Sequence, residues 1–321
     1  MTVPFMHRRT FLRPFAALFA AGLAAAALCV PRASHAVDAA NAAAAAPARI
    51  VSVGGAVTEI LYALGLDDRI VGVDSTSLYP VDALRTKPNV GYMRQLSAEG
   101  ILGLNPQLII AIAGSGPKET LAVVNEARVP VLSVPEVFSE QGILEKISFI
   151  AERMNIGPRG ACLGEAVSAD LTAMHALRDK ITDKRRVMFV MSLVNGRAMV
   201  AGRHTAADAI IDLAGGVNAI SEFDGYKPIS EEAIVAAKPD VILTMQRGAD
   251  AVTPEAVFGN PAFAVTPAAQ AKSFIAMDGL YLLGFGPRTA AAAHDLAGKL
   301  YPSLSAQSPW TSRVLSADCR H

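Results

Sequence analysis

Short apolar runs rich in β-branched residues alternate along this chain with stretches whose apolar positions recur at helical spacing. The runs predict strands over residues 49–53, 69–73, 108–113 and 131–134. Between them the spacing predicts helices over 58–64, opened by Thr58 and closed by Gly65, over 97–104 and over 118–128. Residues 158–182 then form one long amphipathic pattern, with Pro158 near its start and Arg178, Asp179 and Lys180 near its end. A second series follows, with strands over 187–191, 198–201, 241–245 and 273–277, a helix from about Thr205 and a closing helix over 289–300. Strand–helix alternation of this kind calls for parallel sheets with helices on both faces. The expected fold is therefore α/β: two Rossmann-like lobes with parallel sheets, joined by a single long α-helix. The boundaries are 49–156 for the first lobe, 157–183 for the linking helix and 184–321 for the second lobe.

A short internal repeat supports two similar lobes. Ser97 stands two before Glu99, and Pro106 stands seven after it, ahead of an apolar run. Ser230, Glu232 and Pro239 repeat that spacing. Each copy reads as a capping serine, an acid suited to the positive helix end, and a proline that stops the helix before a buried strand.

The first residues change where the protein is expected to work. Arg8, Arg9 and Arg13 precede an apolar run from Phe15 to Val30, and Ala33-Ser34-His35-Ala36 closes it with small residues. That layout is a cleavable secretory signal peptide over 1–36, followed by a flexible alanine-rich spacer over 37–48. The Arg8-Arg9 pair suggests twin-arginine export, but His7 stands where Ser or Thr is usual, so the route stays open. Cys29 goes with the leader, leaving Cys162 and Cys319, which the sequence allows to be either paired or free. The leader carries four arginines and no acid, so the mature chain sets 25 basic against 29 acidic residues. A net charge of −4 offers no footprint for nucleic acid.

Two segments carry the most specific information: Val90-Gly91-Tyr92-Met93-Arg94-Gln95-Leu96-Ser97-Ala98-Glu99-Gly100 and Ala201-Gly202-Arg203-His204-Thr205-Ala206-Ala207-Asp208-Ala209. On these the chain resembles the periplasmic haem-binding proteins of bacterial ABC importers, from Arg49 to about Tyr301. They belong to the helical-backbone, class III periplasmic binding proteins, which also carry cobalamin, ferric siderophores and metal ions. The resemblance implies a monomeric carrier with haem as transported ligand, held between two lobes that a continuous helix keeps from wide hinge motion. It implies Tyr92 as the haem iron ligand. It also implies that Glu99 and Glu232 dock into basic pockets of an inner-membrane ABC permease.

The chemistry agrees with that implication. A phenolate is a hard anionic donor suited to ferric iron, and a free phenol, with a pKa of about 10, needs the metal to ionise near neutrality. In an extended segment Arg94 would share a side with Tyr92 and donate to its oxygen. Arg203 and His204, at a strand-to-helix turn, would pair with a propionate and reach the iron or a second haem. Here the chain departs from the family's commoner neutral polar residues. Gly54 and Gly55 would let a flat ligand approach the backbone, Asp74, Ser75 and Thr76 would line the rim, and Phe223, Tyr226 and Met191 would pack on the macrocycle. A cobalamin or ferric siderophore carrier of the same fold is the alternative. An exported enzyme is more remote. The chain has no Gly-x-Ser-x-Gly, His-Glu-x-x-His, P-loop or dinucleotide fingerprint, and His175, His204, His294 and His321 lack metal-ligand spacing.

Overall fold

The computed structural model describes residues 47–246, 251–305 and 310–321; the expected leader and spacer, except for residues 47 and 48, lie outside them. The first lobe is a four-stranded, wholly parallel sheet in the order β2-β1-β5-β6. Its strands are β1 (Ile50–Val53), β2 (Ile70–Val73), β5 (Leu108–Ile112) and β6 (Val131–Val134). A hairpin of β3 (Gly91–Tyr92) and β4 (Gln95–Leu96) lies off this sheet. Its helices are α1 (Gly55–Ala63), α2 (Asp82–Thr86), α3 (Ala98–Leu102), α4 (Lys118–Glu126) and α5 (Glu140–Arg153).

The second lobe is built on β7 (Arg186–Val194), β8 (Arg197–Ala201), β9 (Val217–Asn218), β10 (Tyr226–Pro228), β11 (Val241–Gln246) and β12 (Phe274–Asp278). β7, β9, β11 and β12 run parallel, whereas β8 is antiparallel to β7 and β10 is antiparallel to β8. The expected parallel sheet is thus present, extended at one edge by two antiparallel strands. Its helices are α7 (Ala206–Leu213), α8 (Glu231–Ala237), the short α9 (Pro254–Phe258), α10 (Pro261–Ala264) and α11 (Pro267–Gln270), then α12 (Gly279–Leu283), α13 (Thr289–Leu300) and α14 (Pro302–Ser305).

The lobes are joined by α6 (Gly157–Arg178), with Pro158 in its first turn. Gly160, Leu163, Val167, Asp170, Leu171, Met174 and Leu177 are buried at three- and four-residue spacing, which makes one face of the helix a wall. That wall belongs to a single apolar core containing Ile60 and Ile147 of the first lobe and Phe189 and Leu296 of the second. Each fully buried Leu or Ile contributes about 1.5–3 kcal/mol, so the lobes resist separation along this seam. Among the described residues no helix is long and apolar enough to cross a membrane.

Several expectations are corrected. α1 begins at Gly55 rather than Thr58, because Gly54, at φ 102°, makes the turn out of β1. The hydroxyl of Thr58 instead bonds Ser52 and Ser77 at 2.7 Å each. α5 was not expected, although Ile143, Ile147 and Ile150 mark its buried face and Ser139 caps it.

Cys162 and Cys319 form a disulfide, with Cα atoms 5.6 Å apart. The chain's last residues lie along α6 and end on the first lobe. Buried Asp170 accepts from Ser312 Oγ at 2.6 Å, Arg313 N at 2.7 Å and Val314 N at 3.2 Å. Beyond the disulfide, Arg320 pairs with Asp67. The tail grouped by sequence with the second lobe therefore runs as a strap along α6 and onto the first lobe. Replacing both cysteines with serine is expected to cost about 2–4 kcal/mol in denaturant unfolding. Reducing the wild type should bring it to the variant's midpoint and leave the variant unmoved; equal midpoints without reductant would show that the bond contributes nothing.

Candidate functional site

Tyr92 projects from the β3–β4 hairpin, whose turn is Met93–Arg94. Gly91 makes the bend possible: its φ is 107°, and a Cβ there would lie 2.6 Å from the Gln95 carbonyl oxygen. The hairpin is fastened to the carboxyl ends of two sheet strands. Ser75 N, just past β2, donates to Gly91 O at 2.8 Å. Past β5, Gly116 N donates to Met93 O at 2.9 Å, and Gly116 O accepts from Leu96 N at 2.9 Å. The strand order reverses between β1 and β5, so this is the edge at which open α/β sheets bind ligands. Met93 packs against the core, but Tyr92 is 42% exposed. Leu78, Val137 and Phe138, in the segments that follow β2 and β6, are exposed as well. An accessible phenol, with exposed apolar residues in other segments that leave the same sheet edge, suits a flat apolar ligand carrying a metal.

Arg94 is exposed, but it is a turn residue rather than part of an extended segment. The alternation that would have set it beside the Tyr92 side chain does not apply, and no hydrogen bond joins the two among the described residues.

Gly54 and Gly55 are buried, and their amides are already used. Gly54 N donates to Asp74 Oδ1 at 2.8 Å, and Gly55 N to Thr76 Oγ1 at 3.0 Å. A Cβ on Gly54 would meet Ile112 at 2.8 Å, and one on Gly55 would meet Leu280 at 2.4 Å. Close packing, not ligand approach, is what these glycines serve. Asp74 is fully buried rather than on a rim; Oδ1 also accepts from Ser77 Oγ, and Oδ2 accepts from Thr76 N and Thr76 Oγ1.

The Arg203–His204 turn is as expected in sequence but not in setting. β8 is antiparallel to β7, so the chain leaves it pointing back along β7, and the carboxyl-edge rule does not extend to this turn. His204 has φ 58°. Thr205 caps α7 through Asp208 N at 3.1 Å, while Asp208 accepts from His204 N at 3.0 Å. Arg203 Nη2 lies 3.1 Å from Asp224 Oδ1, and His204 Nε2 lies 3.8 Å from the same oxygen. All three side chains are more than half exposed, so these pairs are weak and open to exchange. Asp224 was not anticipated; only the folded loop brings it to the pair, through Arg203 N to Phe223 O at 2.8 Å. Tyr226 stacks edge-on against the core residue Phe189, Met191 packs against the same core, and Lys227 Nζ lies over the Phe223 ring. These three residues thus have structural neighbours of their own.

Glu99 and Glu232 occupy matching places, each the second residue of an exposed short helix. Ser97 Oγ accepts from Gly100 N at 3.0 Å, and Ser230 Oγ accepts from Ala233 N at 3.2 Å. The duplication continues past the helices. Asn105 and Lys238, each before its proline, have φ 45° and 43°. Gln107 N and Asp240 N donate to Arg49 O and Arg186 O, both at 2.8 Å. Hydrogen bonds from its own amide and the Ser230 hydroxyl hold the Glu232 carboxyl below the usual range.

No group of three or more His, Cys, Asp or Glu side chains suited to a metal ion occurs among the described residues. His175 Nε2 is 2.7 Å from Glu140, and His294 stacks on Trp310.

The family model described as periplasmic binding protein matches residues 50–280. Among solved structures, the chain is similar to the periplasmic heme-binding protein RhuT from Roseiflexus sp. RS-1 in apo form. Identity is 41%, the TM-score is 0.76, and the match covers 80% of this chain and 98% of that one. The uncharacterized ABC transporter substrate-binding lipoprotein YvrC of Bacillus subtilis is 26% identical over 259 residues, 80% of this chain and 81% of that protein. A cobalamin-binding protein of Halobacterium salinarum is 29% identical over 202 residues, 62% of this chain but 54% of that protein.

Proposed function

Since the chain belongs to the periplasmic binding protein family, we propose that it captures haem outside the cytoplasm and hands it to an ABC permease. The observation that carries this reading is the exposed Tyr92 phenol, on a glycine-dependent hairpin at the ligand-binding edge of the first sheet. The 41% identity to a periplasmic heme-binding protein supports it. Tyr92 supplies a hard anionic oxygen to the ferric iron of the cargo. Leu78, Val137 and Phe138 offer apolar surface at the same edge. Arg94, in the adjoining turn, adds positive charge beside the ligand. From the second lobe, Arg203 exchanges Asp224 for a propionate, and His204 contacts the bound macrocycle. The protein is a carrier and not a catalyst, it acts as a monomer, and its leader is removed on export.

A cobalamin carrier is the second reading, favoured by the curated relative of that name. Titrating the purified protein with haemin and with cobalamin in separate experiments decides between them. The expected result is a saturable Soret shift with a charge-transfer band for haemin and no saturable change for cobalamin. The reverse pattern would replace the haem reading with the second one.

A further inference from the structure

One stretch of the second lobe, from Leu280 to Arg288, is pressed into the first. Leu280 occupies the space above Gly55, and a Cβ added to Gly286 would lie 3.5 Å from Ala56. Phe285 meets Phe138 edge-on, with ring centroids 5.5 Å apart. The Phe285 carbonyl accepts at 3.1 Å from Lys146, a fully buried lysine whose ammonium also reaches Glu136 at 2.7 Å. At the centre stands an ion pair between residues 229 positions apart. Glu59 of α1 accepts from Arg288 N at 3.1 Å through Oε1 and from Arg288 Nη2 at 2.9 Å through Oε2. The guanidinium lies 3.5 Å over the Tyr79 ring. The side chains of Glu59 and Arg288 are only 6% and 14% exposed.

Burying two charges is a poor way to add stability, because desolvation consumes most of the attraction. The Glu59 carboxyl shows this directly: burial pushes its pKa up despite the opposing pull of Arg288 and Lys146. A carboxylate held at one oxygen by the Arg288 backbone amide and at the other by Nη2 of a planar guanidinium stacked on a ring does, however, accept very few geometries. An apolar contact of equal area would tolerate sliding, whereas this one does not.

We propose that Glu59 and Arg288 are positioning residues, whose buried pair keys the second lobe to the first at one angle and presets the gap offered to the ligand. The ligand half of this inference rests on the haem reading; the keying half does not. Nothing in the pair touches the Tyr92 hairpin, so its effect on cargo acts through lobe geometry alone.

Spin labels on cysteines introduced at Glu126 of α4 and Val235 of α8, both exposed, report the interlobe distance, since the native cysteines are paired. The ligand-free wild type should give a single narrow distance distribution. Tyr79→Phe, which keeps the ring beneath the guanidinium, should give the same. The Glu59→Leu/Arg288→Met pair replaces the charges with apolar groups of similar bulk. It should melt close to the wild type but show a broadened distribution, and release haemin about 3- to 30-fold faster with an unchanged spectrum. A folded double variant with the same narrow distribution would overturn the proposal. If that variant does not fold, Arg288→Lys keeps the charge and loses the planar guanidinium stacked on Tyr79. Broadening is again expected, and an unchanged distribution again overturns the idea. A wild type that behaves as described but binds no haemin would remove the haem reading and leave the keying intact.

Discussion

Alanine at Tyr92 is expected to abolish the tyrosinate signature of bound haemin, removing the charge-transfer band and returning the Soret region to that of free haemin. Affinity should fall by more than the roughly 10–100-fold that losing an outer-shell partner of a metal site costs, because here the donor itself is removed. Folding should be spared. Tyr92 is 42% exposed, the turn depends on Gly91 instead, and the hairpin is held by backbone bonds to residues following β2 and β5. Tyr92→Phe separates the two contributions of the side chain: the ring stays, the oxygen goes, and the spectrum should match that of the alanine variant. A phenylalanine variant with the wild-type spectrum would mean that another atom holds the iron. Arg94→Ala should have a smaller effect, since that side chain lies in the turn and makes no hydrogen bond to Tyr92 among the described residues.

Reversing both Glu99 and Glu232 to arginine is expected to stop uptake by cells while haemin titration of the purified protein is unaltered. The two carboxylates sit at the second position of duplicated helices with the same capping serine, the same left-handed residue before proline and the same return hydrogen bond. A partner with two related halves would meet them as equivalents. Two arginines facing basic pockets would oppose like charges, a mismatch worth several kcal/mol. Single reversals should give intermediate uptake. Loss of haemin affinity in the double variant, or uptake at the wild-type rate, would each remove the docking assignment.

Much of this fold is legible in the sequence because buried parallel strands are short β-branched runs. β6 and α13 begin and end where the pattern places them, and the serine caps of α3 and α8 are real. Other features carry local signals of their own. Asn195-Gly196, both at positive φ, is the two-residue hairpin turn that sends β8 back along β7. Thr253-Pro254, Asn260-Pro261 and Thr266-Pro267 each open a short helix with a capping side chain and a proline in the first turn.

What remained illegible depends on long-range pairing. The disulfide joins residues 157 apart, and Asp224 meets Arg203 only through the fold of its loop. Of the candidate site, the placement of Glu99 and Glu232 at the starts of two capped helices could be read, because a capping serine is a local signal. Gly54 and Gly55 were misread because a Gly-Gly pair at a strand end looks the same whether it faces a ligand or, as here, Ile112 and Leu280.

The haem-loaded protein crystallised and measured at the iron absorption edge tests the central claim most directly. The anomalous iron peak should lie at coordination distance from the Tyr92 phenolic oxygen, with the macrocycle against the carboxyl edge of the first sheet. An iron peak bound by any other side chain, with Tyr92 Oη turned away from it, would contradict the account.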